Sequence, residues 1–198
     1  MDDRLEFKRI KRELKYEAHR VKVYEDEYER PDKVHVHYDY VENRNGAGVL
    51  LVDDEGMPIL VKQYRITLDR CDLEIAAGCY EDDESETKEG SYEGEESGNL
   101  KKAKMAALRE AEEETGLIPA KLELVNNIIA AVGLFSERTA IFIGTDLKEG
   151  KIKRDPDEFI DLVKLSLDEA LNMIKTGEIC DSKTIIAILY YALNINVK

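Results

Sequence analysis

Between Leu5 and Val41 charged positions alternate with Val, Tyr and His, most regularly in Val34-His35-Val36-His37-Tyr38-Asp39-Tyr40-Val41. This period of two, with β-branched and aromatic residues, predicts strands. Asn45-Gly46-Ala47-Gly48 then leads into two apolar runs, Val49-Leu50-Leu51-Val52 and Pro58-Ile59-Leu60-Val61-Lys62-Gln63-Tyr64, around the turn Asp53-Asp54-Glu55-Gly56. That arrangement predicts a buried hairpin. Another strand is expected over Asp72 to Ala77, ending at Gly78. The period then changes: Leu100, Ala103, Ala107, Leu108 and Ala111 form the stripe of a helix over about 100–115, capped by Asn99 and stopped by Gly116. Strands are expected at about 121–129, 139–145 and 159–165, followed by a helix from Asp168 to about Thr176 and a last one from Thr184 to Leu193. No repeat of fixed period is present.

The 198 residues suit one good-sized domain or one with a small appendage. With 43% hydrophobic and 36% charged residues, the chain can fill a core beneath a heavily charged surface. The net charge of −14 repels nucleic-acid phosphates and anionic membranes, so neither is expected as a partner. Met1-Asp2-Asp3-Arg4 lacks a signal pattern, and the apolar stretch Ile185 to Leu193 is too short to span a bilayer. Cys71, Cys79 and Cys180 form neither an even disulfide set nor a close metal pair, which predicts reduced thiols and a cytoplasmic location. Cys79 lacks a His or Asn partner pattern for a nucleophile. His35 and His37 share a strand face without a third metal ligand spaced nearby. From Glu81 to Gly98 nine acids oppose Lys88 alone, a local net of −8 that leaves −6 for the rest. This stretch is expected to be a mobile loop.

Glu110, Glu113 and Glu114 stand at i, i+3 and i+4 in the last turn before Gly116. Like charges at that spacing repel, and the helix macrodipole disfavours anions at its C-terminus. A hard divalent cation such as Mg²⁺ resolves both conflicts. The alternative is a solvated acidic face with Arg109 paired to Glu113 at i+4.

Arg109-Glu110-Ala111-Glu112-Glu113-Glu114-Thr115-Gly116-Leu117 resembles the second half of the Nudix box, Arg-Glu-apolar-x-Glu-Glu-x-Gly-apolar, at every fixed position. Gly78 and Glu84 supply its Gly-x5-Glu half. Ser85 to Leu108 number 24 residues where the usual box has seven, so the spacing implies about 17 extra residues, most of them in the acidic insertion at about 85–98. Leu73-Glu74-Ile75-Ala76-Ala77-Gly78 and Lys62-Gln63-Tyr64-Arg65 resemble the strands before the box in ADP-ribose and nucleotide-sugar diphosphatases. Ser136-Glu137-Arg138 resembles a loop of the ADP-ribose branch, although Ala131-Val132-Gly133-Leu134-Phe135 replaces its usual Ser-Pro-Gly-Gly. The segments Leu167 to Leu171, Gly177 to Ile179 and Asp181 to Thr184 resemble that branch's closing helix, turn and helix.

The resemblance implies an α/β fold, a Nudix α/β/α sandwich with a mixed sheet over residues 45–198, preceded by a small β region at 1–44 that in similar proteins swaps across a homodimer. It implies Mg²⁺, with Mn²⁺ able to substitute, held by Glu110, Glu113, Glu114 and the Ala77 carbonyl. Arg109 would orient the glutamates. Glu137 would act as base or water-orienting group, its alternative being an exposed loop carboxylate. Arg65 and Arg138 suit phosphate clamping or surface salt bridges. Glu74 either joins the substrate or metal shell or pairs with a basic neighbour. The implied reaction is hydrolysis of ADP-ribose to AMP and ribose 5-phosphate. Two alternatives stay open: a GDP-mannose or UDP-sugar diphosphatase, and a Nudix-fold nucleotide sensor without turnover.

Overall fold

The computed structural model describes residues 4–80, 98–154, 156 and 158–195. The chain divides into two compact units, Met1–Arg44 with Ile129–Arg138, and Asn45–Ile128 with Thr139–Lys198.

The first unit holds an antiparallel meander of β1 (Lys8–Glu17), β2 (Lys22–Glu29) and β3 (His35–Glu42). Asp26 of β2 is buried beneath Arg12, whose guanidinium grips both carboxylate oxygens at 2.7 and 2.6 Å and lies over the rings of Tyr24 and Tyr40. That pairing satisfies a charge that would otherwise be costly to desolvate. Segment 129–138 joins this unit through the Val41 amide, which donates to the Leu134 carbonyl at 3.0 Å.

The second unit is built on a mixed sheet. β4 (Gly46–Val52) runs parallel to β9 (Thr139–Glu149), and β8 (Leu117–Ile128) pairs antiparallel with β9. β5 (Pro58–Arg65) is antiparallel to β4 only at Leu51–Ile59 and Val52–Pro58 before the two diverge; β10 (Ile160–Lys164) lines the other side of β5. A wedge enters the fork. β6 (Arg70–Glu74) pairs with β5 and β7 (Ala76–Cys79) with β4, so the single strand expected over Asp72 to Ala77 is broken at Ile75. The break has a topological cause: the segment leaves one neighbour for another.

Side chains of β4 alternate between two cores. Ala47, Val49 and Leu51 meet Ala103, Ala106 and Ala107 of α1 (Gly98–Glu110), while Leu50 and Val52 meet Ala187 and Ile188 of α3 (Ser182–Ile195) and Ala170 of α2 (Leu167–Thr176). The result is an α/β/α sandwich. Burial of each large aliphatic side chain contributes roughly 1.5–3 kcal/mol.

Asn99 lies within α1 rather than capping it, and its Oδ1 is buried without a partner. Ser166, two residues before the expected start at Asp168, caps α2 through a reciprocal bond pattern with Glu169. The expected acidic loop and Glu84 lie outside the described residues, apart from Gly98 at the start of α1. Among the described residues, no helix is long and apolar enough to cross a membrane.

Candidate active site

The helix expected to run to Thr115 changes character at its end. After Glu110 it widens into a π-helical turn, Ala111–Thr115, closed by Gly116 at φ 73° with its amide on the Glu112 carbonyl at 2.8 Å. Such turns recur at functional sites. Ala111, Glu114 and Thr115 turn into the protein, while Glu112 and Glu113 stay partly exposed.

Glu110 lies against β7. A Cβ added to Gly78 would fall 1.8 Å from Glu110 Oε1, so the bare backbone of glycine makes the approach possible. Arg109 donates to Glu110 Oε1 at 2.6 Å, to Glu113 Oε2 at 2.7 Å and to the Cys79 carbonyl at 3.4 Å. The i+4 pair of the solvated-face alternative therefore exists, but the face is not solvated: Glu110 is 8% exposed and Glu114 only 3%. The Ala77 amide hydrogen-bonds the Glu114 carboxylate. Its Oε2 is buried and has no partner. Burial, reinforced by the like charges of Glu110 and Glu158, pushes Glu114 up to about 8. Burial also raises Glu110 against the opposing charge of Arg109, with Glu113 and Glu158 adding to the rise.

These carboxylates fit a hard divalent cation, because a bound positive charge would partner the orphaned oxygen and relieve the mutual repulsion. In the conformation described, Arg109 occupies Glu110 and Glu113, and no three acidic, imidazole or thiol side chains among the described residues stand close enough to enclose an ion.

A buried polar network adjoins the acids. Arg65 at the end of β5 grips both oxygens of Glu74 at the end of β6, and Lys183 of α3 donates to Glu74 Oε2 at 2.6 Å and to Asp181 Oδ1 at 2.8 Å. Burial alone would raise Glu74, but Arg65 and Lys183 together hold it below the usual carboxylate range. The positive charge of Arg65 also reaches Glu114. Asp181 bonds Thr184, whose Oγ1 accepts the amide of Ile75, the residue at the β6/β7 break, at 2.9 Å. The closing helix thus buttresses the strand that carries Ala77 and Gly78. Glu74 is paired here with two basic neighbours, Arg65 and Lys183.

The structure brings Arg65, Glu74, Ala77, Arg109, Glu110, Glu113 and Glu114 together in the second unit. Glu137 and Arg138 belong to the first, where Glu137 Oε2 accepts from Asn43 Nδ2 at 2.6 Å. Sequence reasoning missed Lys183 and Asp181 as network members, and it missed Glu158, whose charge acts on both buried glutamates. The only local signal for Glu158 was its place in the acidic run before a strand.

A helix bearing buried glutamates, set on a glycine strand of a mixed sheet between two helical layers, defines a Nudix hydrolase, and the chain belongs to that family. It is 32% identical over 191 residues to the ADP-ribose pyrophosphatase of Bacillus subtilis (strain 168), covering 96% of this chain and 94% of the relative. The methanol dehydrogenase activator of Bacillus methanolicus is 33% identical over 190 residues, covering 95% and 94% of the two chains. A GDP-mannose pyrophosphatase of Enterobacter sp. (strain 638) is 28% identical over 160 residues, 76% of this chain and 74% of its own. The crystal structure of an ADP compounds hydrolase shares the fold, with a TM-score of 0.77 at 17% identity over 98% of this chain and 96% of that one. No protein-family model matches the chain. Within the family it is a pyrophosphohydrolase of the ADP-ribose and nucleotide-sugar branch.

Proposed function

We propose that this chain hydrolyses the diphosphate bond of ADP-ribose or a closely related nucleoside diphosphate sugar with Mg²⁺, releasing AMP and ribose 5-phosphate from ADP-ribose. The observation that carries this reading is the pair of buried carboxylates, Glu110 and Glu114, one with an unpartnered oxygen, at a helix end that disfavours anions. When bound, the cation would neutralise diphosphate charge and make a coordinated water more acidic. Glu110, Glu113, Glu114 and the Ala77 carbonyl would hold it. Arg109 orients Glu110 and Glu113 from its present bonds. Glu74 and Lys183 fix Arg65, which uses Nε and Nη2 on Glu74 and presents its remaining edge to a phosphate. Arg138 is the second phosphate clamp. Glu137 is the group that takes a proton from, or orients, the attacking water.

The protein is read as a cytoplasmic homodimer in which residues 1–44 exchange between protomers, a state that light scattering after gel filtration tests directly. A second substrate class, GDP-mannose or UDP-sugars, is supported by the GDP-mannose pyrophosphatase among the relatives. The deciding experiment incubates purified protein and Mg²⁺ with ADP-ribose, GDP-mannose, UDP-glucose, dinucleotides and nucleoside triphosphates, then measures phosphate released by added phosphatase. The expected result is preference for ADP-ribose and loss of turnover in Glu113→Gln. Tight nucleotide binding without hydrolysis would establish the sensor alternative instead.

A further inference from the structure

Ile75, which precedes the strand bearing Ala77 and Gly78, belongs to neither the β5–β6 nor the β4–β7 ladder. A side chain meets its amide instead: the fully buried Thr184 accepts it on Oγ1 at 2.9 Å. A hydroxyl that accepts from an amide must send its own proton elsewhere. Asp181 Oδ2 takes that proton, with the two oxygens 2.5 Å apart, and also the Thr184 amide at 2.9 Å. The other oxygen, Oδ1, accepts from Lys183 Nζ at 2.8 Å. The same ammonium donates to Glu74 Oε2 at 2.6 Å, and Glu74 in turn holds Arg65 through both carboxylate oxygens. The Lys183 and Glu74 side chains are 18% and 5% exposed, so water cannot replace a lost partner on either without cost. Two chains of bonds thus diverge from one carboxylate, one to the strand break beside Ala77 and the other to Arg65.

We propose that Asp181 is a positioning residue of the active site, whose two oxygens separately set the strand bearing Ala77 and the aim of Arg65. The inference rests on the reading of that strand as part of the cation site and of Arg65 as a phosphate clamp. The two duties together demand a carboxylate. It accepts on both oxygens, whereas the amide of asparagine accepts on one side and donates from the other. An asparagine oxygen could still serve Thr184, but the NH₂ group would then face the Lys183 ammonium, donor against donor. Support of α3 alone would need only the Thr184 side, which is the bond pattern of any helix N-cap. The second oxygen, spent on a buried lysine that reaches Glu74, carries the influence of the closing helix to the arginine.

The test measures KM and kcat for ADP-ribose at saturating Mg²⁺, and Mn²⁺ binding by calorimetry on the metal-free proteins, in variants of each branch. Lys183→Met cuts the arginine branch alone and is expected to raise KM about tenfold, with Mn²⁺ affinity within about twofold of wild type. Thr184→Val cuts the strand branch alone and should weaken Mn²⁺ binding about tenfold with KM nearly unchanged. Thr184→Ser keeps the hydroxyl and should bind Mn²⁺ as wild type does. Asp181→Asn should follow Lys183→Met, and Asp181→Ala should show both losses together. Should Asp181→Ala not fold, the other variants still decide the matter. Variants of both branches that lose Mn²⁺ affinity and KM in common proportion report only a loosened helix and overturn the proposal, as does a wild-type KM in Asp181→Asn. Arg65→Lys and Glu113→Gln are the controls. A normal KM in the first, or full turnover in the second, means that the clamp or the cation site itself has been misassigned, whereas impaired controls beside a normal Asp181→Asn refute the role of Asp181 alone.

Discussion

Replacing Glu114 by Gln isolates the cost of holding its carboxylate at the helix end. The group is 3% exposed, leaves Oε2 without a partner, and is pushed from 4.5 to about 8 first by burial and then by Glu110 and Glu158. Because the folded value lies above the unfolded one, the stability contributed by the protonated form is complete below about pH 4.5 and is lost as pH rises through about 8. At about 1.4 kcal/mol per pKa unit, the span bounds the loss at about 5 kcal/mol, of which about 3 is already spent at neutral pH. Entry of water into the site lowers both figures. The neutral amide of Gln cannot ionise, so metal-free Glu114→Gln should match wild type near pH 5 and exceed it by roughly 2–4 kcal/mol near pH 8. Urea unfolding midpoints in chelator at about pH 5, 7 and 8 measure the difference, with the slope of each transition checked for constancy. Mg²⁺ should then raise the wild-type midpoint at about pH 8 and leave the variant nearly unmoved. Parallel pH dependences for the two proteins would refute the assignment of a buried, cation-seeking carboxylate to position 114.

Three further outcomes are expected. Gly78→Ala places a methyl on the Glu110 carboxylate, which is the mobile end of a side chain, so melting temperature should change little while half-maximal activation needs about tenfold more Mg²⁺; unchanged Mg²⁺ dependence contradicts the contact. Glu137→Gln should lower kcat on ADP-ribose about a hundredfold with KM nearly constant, and a normal kcat would move the water-positioning role to another carboxylate, Glu158 first. Thr184→Val leaves the buried Ile75 amide without its acceptor and should cost about 1–3 kcal/mol by urea denaturation, with no measurable cost if the tether from α3 to the strand break is unimportant.

Alternation and helical spacing revealed most elements because each signal is local. The apolar run 49–52 lies in β4, and the stripe from Leu100 to Ala111 faces the core except at Leu108, with Ala106 added to it. The glutamates were legible because they break local rules together, and such breaks mark functional places. What stayed hidden depends on distant partners. The division of 72–77 at Ile75 is decided by β4 and β5 diverging, which no pattern within those residues records. Lys183 looks like any lysine opening a helix, yet Glu74, more than a hundred residues away in sequence, gives it a buried place. Arg154 likewise acquires meaning only when Glu114 and Ile160 arrive on its two edges. Asn99 failed as a cap because Gly98 is already helical.

The parallel pairing of β4 with β9 brings Gly46 beside Thr139, and everything between them, including the glutamate helix, lies inside the loop that this pairing closes. The β4–β5 contact at Leu51–Ile59 spans a short turn, so it can form before the chain has paid the entropy of long-range closure. The wedge of β6 and β7, by contrast, needs both arms of the fork in place. Crowding of Glu110 and Glu114 against Ala77 and Gly78 is therefore expected to come late in folding, after the rate-limiting nucleus has assembled. Neutralising Glu114 should then slow unfolding and leave the refolding rate almost unchanged: the charge burden of the site sets how long the metal-free enzyme survives, not how quickly it is made.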